Sequence, residues 1–353
     1  MTTVSFAGSG RITAAHGLAV RALPGVTVTA VASRDPAHAT ERARQMEART
    51  CSYDELPAGA DVVIVATPPA RHAQDVLHAL DRGASVIVEK PLCTTLAQAD
   101  ALVAAAGPGG ERIGYAENLA FAPIVAGALD LAAGLGSLRH LEVRALSSRP
   151  DWGDFLRARW GGGVLFDLGV HPLALAMLLA DAAARGSGDP AGPGPKVVSV
   201  RARLDGADDI EVDDDAEVDL TFDTGLVAHV EASWRAARPQ WDLQAASDAG
   251  VVRAELLPGI LLEHNGEPVD LPPVPAAIDV PQIEQFGYRA QIEGFLADFA
   301  ARRAPALDVA FGRDVLDVVC AAYSSAGHGG AVVPVPFVGP RDRTPLELWR
   351  HPS

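Results

Sequence analysis

The sequence predicts an α/β Rossmann fold, a doubly wound parallel sheet, followed by a C-terminal α+β domain with an open, mainly antiparallel sheet. Three observations carry this. Short β-branched runs alternate with helical segments through the first third of the chain. One of those runs, Val62-Val63-Ile64-Val65-Ala66, shows no polar alternation, the mark of a parallel strand covered on both faces. Beyond Asn118 the runs alternate apolar and polar residues instead, as half-covered antiparallel strands do. At 353 residues the chain exceeds the usual size of a single core, so two domains are expected.

Taken in order, Val4 to Ala7 is the first strand, a Gly-rich turn follows, and Ile12 to Leu23 has helical patterning. Val28 to Ala32 is the second strand; Asp35 then offers an N-cap and Pro36 the first position of a helix running towards Ala48. After the Val62 strand, Thr67-Pro68-Pro69 breaks the chain, a helix runs from about Ala70 to near Gly83, and Ser85 to Glu89 is the next strand. Thr95 with Gln98 three residues on predicts a capping box opening a helix to about Ala106, and Arg112 to Tyr115 closes the sheet as a sixth strand. In the second domain, helices are expected near Ile124 to Ala133 and Val164 to Ala184. Strands are expected at Leu141 to Leu146, Val197 to Leu204, Ala216 to Phe222, Leu226 to Trp234 and Val251 to Leu257. Asp223-Thr224-Gly225 pairs the third and fourth of these as a hairpin. Arg185 to Lys196, rich in Gly and Pro, is expected to be a mobile surface loop, and two helices, Ile283 to Arg303 and Gly312 to Ala326, follow the sheet. The domains expected are thus 1–117, 118–335 and a tail, 336–353, wrapping the surface.

Composition narrows the function. With 45 acidic against 29 basic residues the formal net charge is −16, and no Lys/Arg-rich run accumulates, which argues against nucleic acid and membrane surfaces as partners. Cys51, Cys93 and Cys320 are far apart and form no C-x-x-C pair, so no disulfide framework or zinc site is expected, and a reducing compartment fits. Met1 to Arg11 lacks the features of a signal peptide, and the apolar stretch Leu173 to Ala180 is too short for a bilayer, so a cytoplasmic protein is expected. The acidic run from Asp208 to Asp215 lacks the glycine and terminal Glu of a calcium loop and reads as a solvated strand entry, so no metal is expected.

Four places carry chemistry. Gly8-Ser9-Gly10-Arg11-Ile12-Thr13 lies between a strand and a helix, where Gly8 permits a tight turn and Gly10 lets backbone approach a pyrophosphate at the helix N-terminus. At the end of the second strand, Ser33-Arg34-Asp35 offers a hydroxyl and a cation suited to the 2′-phosphate of NADP, while Asp35 serves the next helix as its cap; NADP is favoured, with NAD the alternative. Lys90, in Glu89-Lys90-Pro91, sits at the C-terminal end of a parallel strand, where open α/β sheets place their ligands. Asp167 and His171, spaced i, i+4 after the run Gly161-Gly162-Gly163, share a helix face on which an imidazole can exchange a proton; a structural His capped by Asp is the competing account. His16 and His72 read as helix-start residues with local hydrogen bonds. Trp152, Arg157, Arg159 and Trp160 read as surface packing or subunit contact, and Tyr288 is no better placed.

Together these motifs resemble the Gfo/Idh/MocA family, named for glucose–fructose oxidoreductase, inositol 2-dehydrogenase and a rhizopine-catabolism protein. The resemblance adds Thr67-Pro68-Pro69-Ala70-Arg71-His72, Asp214-Asp215-Ala216 and Ala322-Tyr323-Ser324-Ser325-Ala326 to the four places above; Thr13 departs from the usual third glycine. It implies a Rossmann domain and an α/β domain whose open sheet carries the contacts of a homodimer or homotetramer. It implies that Lys90, Asp167 and His171 are catalytic, and that Thr67, Pro68, His72, Glu89 and Asn118 line the cofactor beside Gly8, Gly10, Arg11, Ile12, Ser33 and Arg34. The expected activity is hydride transfer between NAD(P) and a secondary alcohol or ketone of a sugar, cyclitol or similar polyol. A redox-assisted glycosidase and a dinucleotide-binding regulator are the alternatives on the same scaffold.

Overall fold

The computed structural model describes residues 1–187, 194–271 and 281–352. In chain order the first elements are β1 (Thr2–Ala7), α1 (Arg11–Arg21), β2 (Val26–Ala32), α2 (Pro36–Gln45), β3 (Arg49–Cys51), β4 (Val62–Val65), α3 (Pro69–Asp81), β5 (Ser85–Glu89), α4 (Leu96–Ala105) and β6 (Ile113–Ala116). Next come α5 (Pro123–Ala133), β7 (His140–Ser148), α6 (Val164–Asp167), α7 (Val170–Ser187), β8 (Val197–Asp205), β9 (Asp215–Phe222), β10 (Val227–Ser233) and β11 (Arg235–Ser247). The last are β12 (Gly250–Leu257), β13 (Leu261–His264), β14 (Glu267–Pro268), α8 (Pro281–Gln285), α9 (Tyr288–Ala300), α10 (Val309–Gly327), β15 (Val333–Pro334) and α11 (Pro345–Arg350).

The first unit is a parallel sheet in the order β3-β2-β1-β4-β5-β6, the doubly wound arrangement whose order reverses between β1 and β4. Its central strands β4 and, over Val86 to Val88, β5 are apolar on both faces because helices cover both. Register levels the strand ends: Ala7 pairs with Ala32 and Val65, and Val65 with Val88. The turns after β1, β2, β4 and β5 therefore open on one edge. β3 is a short, largely exposed edge strand that no apolar run announces. Thr95 caps α4, its Oγ1 accepting from the Gln98 N–H at 3.3 Å, but Gln98 Oε1 accepts from Thr94 instead of completing the box.

This unit comprises Met1–Ala122 and the described part of 274–314, which differs from a division at residue 117. The physical reason is packing of α9 against α1 and against the 3-10 turn Asn118–Phe121. Phe295 fills the space a side chain at Gly114 would take, with a Cβ there only 2.8 Å from its ring, and meets the Phe121 ring at 5.4 Å. The single helix expected over Ile283 to Arg303 is two, α8 and α9, separated at Gly287, where φ is +77° and a Cβ would strike the backbone of Asn118 and Phe121.

The second unit holds the sheet β14-β13-β12-β11-β7-β10-β9-β8-β15. Every pairing is antiparallel except β7 with β10, so the sheet is mixed but mostly antiparallel. Helices α5 and α7 pack on one face, where Leu141, Val143 and Ala145 of β7 are buried; Glu142 and Arg144 point the other way. The hairpin at Asp223-Thr224-Gly225 joins β9 to β10, with Gly225 at φ +86°. The longest strand, β11, has no counterpart in the sequence reading: Pro239 and an irregular register between Arg235 and Gln240 erase its alternation. The loop expected at Arg185 to Lys196 begins inside α7, and 188–193 lie outside the described residues. The tail contains α11, opened by a capping box between Thr344 and Glu347, with Leu346 and Leu348 buried. Among the described residues no single helix is long and apolar enough to cross a membrane.

Candidate functional site

At the end of β1 the chain turns through Gly8 at φ +114°, its N–H donating to the Ala32 carbonyl at 2.8 Å. A Cβ at Gly8 would lie 2.4 Å from the Ala66 carbonyl oxygen, so only glycine lets β1 and β4 part at this point. Gly10 is the N-cap of α1 and supplies no side chain to cap it; a Cβ there would meet nothing within 4 Å. The N-terminus of α1 thus receives no cap from its N-cap residue and opens beside free space at Gly10, a cradle that fits a pyrophosphate. Arg42 reaches from α2 to the carbonyls of Ser9 and Gly10, and the Ser9 and Ser33 hydroxyls meet at 2.7 Å, fixing the turn.

After β2, the Asp35 carboxylate accepts from the N–H groups of Ala37 (2.9 Å) and His38 (3.0 Å), bonds that hold its pKa below the usual range. It is the cap of α2. Arg34 is exposed. Tyr53, which no sequence signal marked, sets its hydroxyl against the Arg34 backbone and its ring under the Arg71 guanidinium, 4.4 Å away. Arg71 in turn pairs with Asp75 at 2.7 Å, and the Thr67 hydroxyl donates to the same carboxylate at 2.8 Å, so Thr67 and Pro68 are held at the mouth of α3.

At the end of β5, Glu89 is buried and its Oε1 lies 2.6 Å from His16 Nε2, while its Oε2 accepts from the Lys90 N–H at 3.0 Å. Burial pushes the Glu89 carboxyl up, but the His16 hydrogen bond and the neighbouring positive charges outweigh it and hold the pKa low. The expectation of local bonds for His16 is corrected: the ring is fully buried, spans 73 positions to reach Glu89 and meets Tyr288 edge-on at 5.5 Å. Tyr288 is thereby placed too, its hydroxyl pKa raised by burial and by Glu89 and Glu117. His72 sets one ring nitrogen 2.6 Å from the Thr67 carbonyl and the other 2.9 Å from that of Pro91; burial lowers its pKa against the opposing pull of these two acceptors. It ties the start of α3 to the Lys90-Pro91 bond, which is cis. Asn118 donates its amide to the Phe286 carbonyl at 2.7 Å.

In the second unit the glycine run enters α6. Asp167 and His171 do not share one continuous helix as their spacing suggests: the chain breaks at Leu168-Gly169, and the helical segment Ala158–Asp167 meets Val170–Gly186 at a bend of 43°. A Cβ at Gly169 would lie 2.7 Å from the Leu165 carbonyl oxygen, so glycine allows the close bend. Asp167, half-buried, lines a cavity of about 390 Å³ with Arg149, Trp152 and Trp234. His171 is buried, its ring 5.9 Å from that of Trp241. Trp152 therefore belongs to the cavity wall, packed on Phe155 at 4.6 Å.

The solvated strand entry expected around Asp213 and Asp214 is also corrected. Both are buried. Asp213 accepts from the Gly163 and Leu165 N–H groups, each at 2.9 Å, and from the Tyr323 hydroxyl at 2.6 Å; burial nonetheless pushes its pKa up. Asp214 takes Arg149 on one oxygen and Arg235 on the other. Among the described residues no group of three or more His, Cys, Asp or Glu side chains gathers as a metal site.

Two outcomes are expected of the first unit. Gly10→Ala, which meets no neighbour, should leave thermal stability unchanged yet weaken dinucleotide binding by about 10-fold or more, read by nicotinamide fluorescence; unaltered binding would remove the turn from the cradle. His16→Leu strands the Glu89 carboxylate and should cost about 3 kcal/mol in urea unfolding at neutral pH. Without its partner the Glu89 pKa moves above its unfolded value, so the deficit should shrink as pH falls towards about 5, because the neutral acid escapes the burial penalty. A deficit that grows on acidification would contradict this.

Residues 2–116 match the model of the oxidoreductase family with an NAD-binding Rossmann fold, and residues 131–253 match that of the GFO/IDH/MocA C-terminal domain. The chain is 31% identical over 294 residues to a protein of Amycolatopsis mediterranei named as a UDP-kanosamine synthase oxidoreductase subunit, covering 78% of this chain and 81% of the other. It is 28% identical over 286 residues to a UDP-N-acetylglucosamine 3-dehydrogenase of Acidithiobacillus ferrooxidans, covering 79% and 83%. The crystal structure of GenD2 from gentamicin A biosynthesis, in complex with NAD, is similar at a TM-score of 0.81 and 26% identity, over 95% of this chain and 96% of that one. The chain belongs to the GFO/IDH/MocA family and is an NAD(P)-dependent oxidoreductase.

Proposed function

We propose that this enzyme passes a hydride between the nicotinamide and a secondary alcohol or ketone on a sugar ring, free or carried on a nucleotide, with cyclitols and similar polyols as the wider class. The observation that carries the reading is the cavity of about 390 Å³ in the second unit, walled by Trp152 and Trp234 and bordered by Asp167, four positions before the buried His171. Indole faces suit the apolar face of a sugar ring, and a carboxylate suits its hydroxyls. Relatives named for UDP- and dTDP-sugar chemistry support the nucleotide-linked form, and a relative named D-xylose 1-dehydrogenase the free sugar.

The dinucleotide, held on Gly8, Gly10, Arg11 and Ile12, supplies the hydride acceptor or donor at nicotinamide C4. His171 takes the hydroxyl proton as the alcohol is oxidised and returns it in the reverse direction. Asp167 orients the substrate or the imidazole, and the Lys90 ammonium donates a hydrogen bond to the reacting oxygen. Thr67, Pro68, His72, Glu89 and Asn118 complete the cofactor's surroundings. NADP is favoured over NAD: the Asp35 carboxylate is engaged in the cap of α2, and the exposed Arg34, next to the Ser33 hydroxyl, suits a 2′-phosphate. The face of the second sheet away from α5 and α7, where Arg144 pairs with Asp242 at 2.8 Å, is where we place the contacts of a homodimer or homotetramer.

Absorbance of NADPH and NADH should fall with at least one member of a panel of keto-sugars and 3-keto sugar nucleotides; coenzyme binding without any turnover would make the dinucleotide a ligand rather than a reactant. His171→Ala should lower kcat by about 100-fold or more while binding coenzyme normally, and full turnover in a folded variant would take the histidine out of the mechanism. Arg34→Ala should weaken NADPH by about 10-fold and NADH little; an equal loss for both would assign Arg34 to the adenine instead.

A further inference from the structure

We propose that Tyr323 and Asp213 are positioning residues that fix the turn delivering Asp167 to the cavity. The inference rests on the catalytic assignment of Asp167 and His171 given above. It begins from a fully buried polar set that the hydride transfer does not use. The Tyr323 hydroxyl donates to Asp213 Oδ1 at 2.6 Å and accepts from the Gly163 N–H at 2.9 Å; both side chains are 0% exposed. Asp213 also accepts from the N–H groups of Gly163 and Leu165, and its own carbonyl accepts from the Val164 N–H. Three successive amides of the turn are thus satisfied by one aspartate.

From there the path to Asp167 is short. Gly163, held at its N–H by Tyr323 and Asp213, accepts the Asp167 N–H on its carbonyl at 2.9 Å. Val164 accepts the N–H groups of Leu168 and Gly169, the residues of the bend, and Leu168 accepts the His171 N–H at 3.2 Å. The turn is pinned on its other side as well, where the Leu346 N–H of α11 donates to the Gly161 carbonyl. The fit leaves no slack: a Cβ at Gly162 would lie 2.7 Å from the Tyr323 hydroxyl, and one at Gly163 2.0 Å from the Asp213 carbonyl oxygen.

A phenylalanine would fill the same space at position 323, so volume alone does not call for the hydroxyl. A buried hydroxyl and carboxylate cost desolvation, and what they return here is a defined rotation of a four-residue helix that is too short to hold its own geometry. Misplacing a reacting group by about 1 Å lowers rates by orders of magnitude, so such precision has a kinetic consequence.

The test is Tyr323→Phe in the full chain, alone and combined with His171→Ala, with kcat, KM, NADPH binding and thermal stability measured for each. The single variant should lose about 10-fold in kcat, keep KM within about 2-fold and bind NADPH as the parent does. The double variant should be no slower than His171→Ala, since a residue acting through the catalytic pair has nothing left to position once the pair is broken. A kcat within about 2-fold of the parent accompanied by a lower melting temperature, or losses that multiply in the double variant, would reduce Tyr323 to a packing residue. Should Tyr323→Phe itself fail to fold, Asp213→Asn carries the test. Its amide would present N–H to N–H at the turn, and the same selective loss of kcat is expected. Full activity in His171→Ala would overturn the catalytic reading and this inference together, whereas its loss beside an undamaged Tyr323→Phe would overturn the inference alone.

Discussion

Hydrogen is the only side chain that fits at Gly8, and the geometry of the first unit follows from that constraint. The turn after β1 passes so close to the Ala66 carbonyl that any Cβ would collide with backbone, which has no rotamer by which to escape. Because β1 can leave the sheet there, the N-terminus of α1 opens beside the strand ends. The parallel register then brings Ser33, Thr67 and Glu89 to the same edge. Gly10 obeys a different necessity. No neighbour forbids a side chain there, so its smallness concerns what approaches from outside and not what packs within.

The two units solve the problem of a buried carboxylate in different ways. Glu89 is compensated by hydrogen bonds on both oxygens, His16 against one and the Lys90 N–H on the other, and its pKa stays low despite its burial. Asp213 is compensated by dipoles, two amides and a hydroxyl, and burial still raises its pKa. Each acid therefore does mechanical work. Glu89 joins α1 to the β5 turn that carries Lys90, and Asp213 joins the entry of β9 to the turn that carries Asp167. Removing either acid's partner leaves a polar group in a medium that penalises it, which is why such pairs fix geometry more firmly than apolar contacts of equal area.

What the sequence made legible was whatever is written locally. The doubly wound sheet shows in the unbroken apolar run of β4, the cap of α2 in Asp35-Pro36, and the hairpin in Asp223-Thr224-Gly225, because each depends on residues within a few positions of one another. The site residues Gly8, Lys90, Asp167 and His171 were singled out by motif and spacing, yet spacing alone misdescribed Asp167 and His171 as neighbours on one helix. The bend that separates them depends on Leu165 crowding Gly169, a packing fact with no periodicity. His16 with Glu89, Tyr53 with Arg71, and Tyr323 with Asp213 escaped because each pair is joined only by folding, across 73, 18 and 110 positions. β11 escaped for another reason: Pro239 and the register shift beside it remove the alternation on which strand reading relies.

The acidic run before β9 shows how far a composition-level reading can mislead about individual charges. Its residues look like a solvated stretch because they are closely spaced and like-charged, which favours water in isolation. In the folded chain Asp214 bridges Arg149 and Arg235, which also hold Asp209 and Asp205 respectively, so three carboxylates alternate with two guanidiniums. The alternation converts repulsion into a clamp, and burial of Asp214 makes that clamp stronger than an exposed ion pair would be. Arg149 borders the cavity, but both of its charged contacts are already made. The net charge of −16 is thus unevenly available to solvent, and Arg149 brings little unpaired positive charge to the wall next to Asp167.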